Sequence, residues 1–157
     1  MPKRSDSLPR YNFSVSDSII VTDSGAKYSF DLIDSASYFP QYPGNIVSLT
    51  FDLLNGEKAP FNAKFKNTIV FLIESYFEKN YSNVLIYVCD STDNRHFARN
   101  RLFQKWFDEF NTENQYEKYD IEIDTDGIIL SSLIVRRDNF FKELIIDSYN
   151  KQILLEK

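Results

Sequence analysis

The sequence predicts an α+β domain built on a mixed, mainly antiparallel sheet. Three observations support this fold class: short alternating apolar segments fill the first third of the chain, helical apolar stripes begin near residue 64, and one continuous apolar run, Val84–Cys89, lies between two such stripes. Alternation is typical of half-buried antiparallel strands, whereas a continuous apolar run is typical of a strand buried on both faces. The predicted order is an N-terminal β-meander followed by α-β-α-β-hairpin-α.

The meander is predicted from four strand-like segments joined by short turns. Asp23-Ser24-Gly25 is one of these turns, and the short connections favour antiparallel neighbours. Residues 1–10 carry two prolines and several charges and are predicted to form a loose N-terminal arm, and 11–157 is predicted to form a single α+β domain. The four segments are 11–15, 19–21, 27–33 and 45–54.

The second half is predicted from apolar spacing. Helices are expected over 64–80 and 93–111, and a hairpin is expected around Asp126-Gly127. Asp138 is expected to cap a last helix. Phe71 lies on the opposite side of the first helix from its main apolar face, which indicates either packing under a neighbouring element or part of an interface.

Composition excludes several functional classes. A formal charge of -5 argues against general binding to a nucleic-acid backbone. One cysteine excludes a disulfide framework and a multi-cysteine metal site, and one histidine excludes a histidine cluster. No apolar run approaches the roughly 20 residues of a membrane span, and residues 1–18 lack a signal-peptide core. We therefore expect a cytoplasmic protein without membrane association.

The most informative segment is the end of the run Val84–Cys89 and the helix that follows it. First-turn N–H groups of a helix point outward unpaired and favour anions. Arg95 and Arg99 fall within the apolar arc of this helix, where a guanidinium needs an anionic partner. Two interpretations stay open. The arginines pair with Asp90, Asp93 or another strand's acid, or they hold an external phosphate or carboxylate.

Other chemistry in this segment has plainer alternatives. Cys89 and His96 could form a nucleophilic pair, but a cysteine closing a buried strand is usually a small core residue. Asp90 and Asp93 could bind magnesium, but helix capping and pairing with arginine is the simpler role. No catalytic residue and no metal site is assigned. The candidate ligand or anion-binding residues are Arg95, Arg99, Asp90, Asp93, Asn94 and His96.

The same segment resembles a small bacterial family of unknown function. That family has a Tyr-x-Phe start, a central Thr-Ile helix and a CDSxDxRxxxRxxLFxxWF block. Here the matching positions are Tyr11 and Phe13, Thr68 and Ile69, and the residues from Cys89 through Phe107. The resemblance implies no activity.

The order of elements also resembles the later part of the GNAT acyltransferase fold, over residues 27 to 137. In that superfamily the late strand is followed by Asn, a small residue and a Tyr-containing helix ending in Gly-Phe. Asn94, Ala98, Phe103 and Trp106-Phe107 look like a shifted version of this pattern. The resemblance implies acyl-CoA-dependent N-acyl transfer, with Tyr87 or an acidic strand residue assisting proton removal from the amine.

GNAT proteins cradle the cofactor pyrophosphate in a Gly-rich loop before the first central helix. The corresponding residues 56–67 contain one glycine and also Pro60, which lacks an N–H donor. We therefore expect no cofactor, with acyl-CoA as the alternative.

Three functions follow. The first is a non-catalytic interaction or binding protein with an acyltransferase-like fold, whose partner is another protein or a second copy of the chain. The second is a diverged acyl-CoA-dependent N-acyltransferase, and the third is a binder of phosphate or nucleotide ligands.

Overall fold

A computed structural model describes residues 8–14, 16–55, 62–89, 96–124 and 128–155 of the 157-residue chain. The described residues form three α-helices and seven strands in one mixed, mostly antiparallel sheet, which confirms the α+β prediction. In chain order the elements are β1 (Asn12–Ser14), β2 (Ile19–Val21), β3 (Lys27–Asp34), β4 (Ile46–Asn55), α1 (Ala63–Lys79), β5 (Val84–Cys89), α2 (His96–Phe110), β6 (Tyr116–Asp124), β7 (Ile128–Arg136) and α3 (Lys142–Leu155).

The last helix begins later than the sequence suggests. Asp138 was expected to cap it, but its carboxylate instead receives two hydrogen bonds from the Arg136 guanidinium, at 2.8 and 2.7 Å. Asn139 stabilises the turn before the helix, because its side-chain Oδ1 accepts a hydrogen bond from the backbone N–H of Phe141 at 2.8 Å. A bidentate arginine contact thus outcompetes the capping interaction for this carboxylate.

The strand order across the sheet is β1-β2-β3-β4-β5-β7-β6. Neighbouring strands are antiparallel in every described pair except β4 and β5, which run parallel. Helix α1 makes the connection between these two strands, as a parallel pair requires a crossover. The sheet therefore consists of two antiparallel units, β1–β4 and β5–β7–β6, joined along one parallel seam.

Each face of the sheet packs against its own set of helices. On one face, α1 and α2 cover a large aromatic cluster that includes Phe65, Phe77, Tyr87 and Trp106. On the other face, α3 contributes Ile145 and Tyr149 to a smaller cluster. Strand β5 contributes to both clusters. Burial on both faces was predicted for the whole run Val84–Cys89; it is confirmed for Val84–Tyr87, but Val88 is 45% exposed because it lies beyond the paired part of the parallel seam.

Among the described helices, none combines the length and the apolar character that crossing a membrane would require.

Candidate functional site

The parallel seam between β4 and β5 ends early, and this positions the candidate site. The paired residues are Ile46–Leu49 of β4 and Val84–Tyr87 of β5. Strand β4 continues to Asn55 along β3, and β5 continues to Cys89 along β7. Past the Leu49–Tyr87 pair, the described parts of these two strands no longer pair with each other. Among the described residues, the parallel pairing is therefore short, and each strand continues past it along its antiparallel neighbour.

Helix α1 connects the two strands of the seam and is capped by Asn62. The Asn62 Oδ1 accepts from the backbone N–H of Phe65 at 2.9 Å, which satisfies one first-turn donor. Its amide nitrogen also donates to the Tyr11 hydroxyl at 2.8 Å. Lys64 and Lys66 in the same turn form partly exposed ion pairs at 2.9 Å with Asp23 and Glu109, respectively. Such surface ion pairs contribute little to stability, so neither lysine is held strongly by its acidic partner.

Helix α2 follows β5 and carries the described part of the sequence-predicted site. Arg99 is half-buried in its first turns, whereas Phe97 and Ala98 are exposed. The apolar spacing of this helix also predicts a buried Ala98, and the structure contradicts this. The fully buried part of the apolar arc starts at Phe103 and continues with Trp106 and Phe107.

Asp90, Asp93, Asn94 and Arg95 lie outside the described residues, as do the side chains of Cys89 and His96. Of the six candidate residues, Arg99 is therefore the one whose side chain the structure describes. The choice between a structural ion pair and an external anion stays a prediction.

A polar row that the sequence did not predict lies beneath α2. Tyr87 of β5 pairs with Ser132 of β7, and Ser132 pairs in turn with Asp120 of β6. The Ser132 hydroxyl, which is 1% exposed, donates to Asp120 Oδ1 at 2.7 Å. The Tyr87 ring is stacked on Phe103 with centroids 4.1 Å apart. The row thus runs from the last paired position of the seam to the edge of the sheet.

Lys118 completes this polar row. Its side chain is 3% exposed, and its ammonium donates to both Asp120 and the Gln104 side chain of α2. A buried ammonium requires such acceptors, because an unpaired one would be strongly destabilising. The only sequence signal for the row is the pair Ser131-Ser132 within an otherwise apolar strand. The register that aligns these residues depends on long-range pairing.

The opposite end of the parallel seam is closed by hydrogen bonds. The Tyr76 hydroxyl donates to the Val84 carbonyl at 2.8 Å, and burial raises the pKa of Tyr76. The Tyr42 hydroxyl donates to the Ser82 carbonyl and accepts from the Asn139 amide at 2.9 Å. Burial likewise raises the pKa of Tyr42. The amino ends of the seam are thus closed by hydrogen bonds among described residues.

No group of three or more His, Cys, Asp and Glu side chains among the described residues is arranged to hold a metal ion.

The fold and this site define a small α+β domain whose mixed sheet contains one short parallel seam. Residues 62–151, more than half of the chain, match a family of unknown function, DUF6169. The chain belongs to this family, which confirms the resemblance to a family of unknown function. No protein with a curated description matches the chain. Neither finding concerns the GNAT acyltransferases, so that resemblance stays a prediction.

Proposed function

We propose that this domain is a non-catalytic binding protein that holds an anionic group, a phosphate or a carboxylate, at the carboxyl ends of β4 and β5. The observation that carries the proposal is the early end of the parallel seam, beyond Leu49 and Tyr87. The described parts of β4 and β5 do not pair beyond this point, and α1 and α2 each follow one of these two strands in the chain, so both helices start toward the carboxyl ends of the seam.

Charge and helix direction favour an anion. First-turn N–H groups of α1 and α2 are oriented toward the carboxyl ends of the strands, where they attract negative charge. Arg99 in α2 adds a guanidinium that is half-buried, so its charge is less screened than that of a surface arginine. Arg95, Asn94 and His96 precede it in the sequence and are proposed to contribute to the same site, with Asp90 and Asp93 orienting the arginines.

The test is a thermal-shift titration with inorganic phosphate. A bound anion raises the melting temperature by an amount that grows with the logarithm of its concentration above Kd, the equivalent of about 2.7 kcal/mol at a hundredfold excess over Kd. We expect a dose-dependent rise that Arg99→Gln reduces and that Arg101→Gln leaves unchanged. Arg101 is the matched control, because it lies on the same helix and is exposed. A flat titration, or equal shifts in both variants, would contradict the proposal.

A second candidate function is acyl-CoA-dependent N-acyl transfer, and the polar row favours it. Tyr87 lies at the last paired position of the seam, and Ser132 and Asp120 follow it across the sheet. A buried tyrosine beside a reacting group can take part in proton transfer. The order of meander, helix, strand, helix and hairpin is consistent with the acyltransferase-like arrangement.

Acetyl-CoA separates the two candidates. If the absence of a Gly-rich loop means that the cofactor is not bound, acetyl-CoA at millimolar concentration leaves the melting temperature unchanged. A saturable shift, together with amine-dependent release of free CoA thiol, would favour the enzyme. In that case Tyr87→Phe should abolish thiol release while the acetyl-CoA shift persists.

A further inference from the structure

Strand β6 forms one edge of the sheet and is long for an edge strand. It pairs with β7 on one side, and among the described residues no strand pairs with its other side. It is nine residues long, contains no proline and keeps one register with β7 throughout. The opposite edge strand, β1, has three residues. Shortness, prolines and bulges commonly protect a sheet edge from pairing with another chain, and β6 has none of these three features.

The register with β7 determines which main-chain groups of β6 point outward. The Arg137 N–H donates to the Gln115 carbonyl at 2.8 Å, so these two residues form a hydrogen-bonded pair. In an antiparallel ladder, such pairs alternate with positions whose N–H and C=O point away from the partner strand. The outward positions of β6 are therefore the even-numbered ones. They are Tyr116, Lys118, Asp120, Glu122 and Asp124.

Tyr116 shows how an outward position of this edge is satisfied. The side chain of Asn111, which follows α2, accepts from the Tyr116 N–H at 3.0 Å and donates to the Tyr116 carbonyl at 2.9 Å. These are the two hydrogen bonds that a neighbouring strand would make. Within the part of the chain that the structure describes, no residue makes the corresponding two bonds at Lys118, Asp120 or Glu122.

The main chain at these three positions is accessible. Lys118 as a whole residue is half-buried although its side chain is 3% exposed, so the exposed surface of this residue is main chain. Asp120 and Glu122 are exposed. Three consecutive outward positions therefore present N–H donors and carbonyl acceptors to an added strand.

The side chains beside these main-chain groups are acidic. Asp120, Glu122 and Asp124 are all exposed. The single cation of β6, Lys118, lies beneath α2, where its ammonium donates to Gln104. The exposed charge along the outward positions is therefore negative, which favours a cationic strand.

A second copy of this chain is disfavoured at the edge. Two copies of β6 would pair antiparallel, and the register that uses all three outward positions is centred on Asp120. That register places the two Asp120 carboxylates directly opposite each other. Moving the centre to Ile121 places Asp120 opposite Glu122. Like charges directly opposite each other are destabilising, so the edge opposes pairing with itself.

We propose that the outer edge of β6 binds an extended basic segment of a partner protein as an added antiparallel strand. The main chain of that segment hydrogen-bonds with Lys118, Asp120 and Glu122, and its cationic side chains lie beside the two carboxylates. Its alternate side chains are apolar and lie beside Tyr119 and Ile121, which pack against the smaller core cluster. In this mode of recognition, main-chain hydrogen bonds supply affinity and alternate side chains supply selectivity.

The test is fluorescence anisotropy with a labelled peptide of about nine residues that alternates lysine and valine. In the proposed pairing, the backbone N–H groups of the lysines point toward β6 and those of the valines point away. N-methylation of the lysine backbone nitrogens should therefore lower the affinity by about tenfold or more. N-methylation of the valine nitrogens should leave it unchanged, and a peptide with glutamate in place of lysine should not bind.

Variants at one exposed residue separate the main chain from the charge. Glu122→Pro removes an outward N–H that β7 does not use, so the sheet is retained while the affinity should fall by about tenfold or more. Glu122→Lys should weaken binding severalfold through its charge alone. Asp17→Lys is the matched control, because it makes the same charge reversal between β1 and β2, near the other edge of the sheet. Circular dichroism verifies that the variants are folded.

Four outcomes would overturn the proposal. They are no binding of the lysine–valine peptide, undiminished binding after N-methylation of its lysines, equal binding of the glutamate peptide, and equal weakening by Asp17→Lys and Glu122→Lys. The last would show that net charge alone attracts the peptide. The N-methylated peptides are measured on the unaltered protein, so they decide the result even if Glu122→Pro does not fold.

Discussion

Trp106 lies where α1 and α2 converge, with its ring centroid 6.2 Å from that of Phe65. It is 5% exposed and Phe65 is 1% exposed, so both side chains are part of the core. Removing so large a buried side chain leaves a cavity that the aromatic neighbours cannot fill. We expect Trp106→Ala to lower the free energy of unfolding by about 3–5 kcal/mol, measured by urea denaturation.

Phe97 provides the control for Trp106. It lies on the same helix but is 44% exposed, so Phe97→Ala should change the free energy of unfolding by less than about 1 kcal/mol. Similar losses in both variants would show that α2 is not oriented as described. Unchanged stability of Trp106→Ala with lost partner binding would instead identify a surface anchor.

Tyr149 couples stability to alkaline pH. Burial is the main cause that raises its pKa from 10.0 to about 12, and its hydroxyl donates to Ser131. Because the folded state holds this proton more tightly than the unfolded chain, the stabilisation is complete below pH 10. It is lost as pH rises from 10 toward 12, at about 1.4 kcal/mol per pH unit.

The measurement for Tyr149 is urea denaturation at several pH values from 9 to 11.5. Tyr149→Phe cannot ionise, so its stability should fall less steeply over this range than that of the unaltered protein. At neutral pH it should lose only about 1 kcal/mol, for one hydrogen bond. Equal slopes for the two proteins would contradict the raised pKa.

At the scale of elements, the start of α1 depends on one side chain. Asn62→Ala removes the acceptor for the Phe65 N–H, and a lost cap of this kind costs about 1 kcal/mol. For a chain of this length that corresponds to a melting temperature about 2–4 °C lower in a thermal scan. Asn62→Ser retains an oxygen acceptor and should recover most of the loss. If serine and alanine behave alike, the cap contributes nothing measurable.

Local patterns predicted the elements because alternation and helical spacing are properties of neighbouring residues. The meander, the helix now bounded by Ala63–Lys79 and the hairpin after α2 were all expected, with boundaries displaced by a few residues. The early end of the β4–β5 seam was not, because it depends on contacts between residues far apart in sequence. The polar row through Ser132 was not predicted either, because it also depends on pairing between distant strands.

At the scale of the whole molecule, we expect the protection of backbone amides from hydrogen exchange to differ between the strands of the sheet. Strands β5 and β7 are covered on both faces, and Val84, Leu85, Leu133, Ile134 and Val135 are all 0% exposed. Strand β1 is three residues long and lies at the edge of the sheet. Amide hydrogen exchange should therefore be slowest in β5 and β7 and fastest among strands in β1. Exchange in β1 as slow as in β5 would contradict this gradient.

The brevity of the parallel seam has a mechanical consequence. Each antiparallel unit forms its strand pairs within its own stretch of chain, and among the described strands four residue pairs join one unit to the other. Mechanically, the sheet is therefore two antiparallel units joined along one short edge. A molecule that binds both units beyond Leu49 and Tyr87 would link them mechanically. It would slow the separation of the two units under force and leave the strand pairing within each unit unchanged.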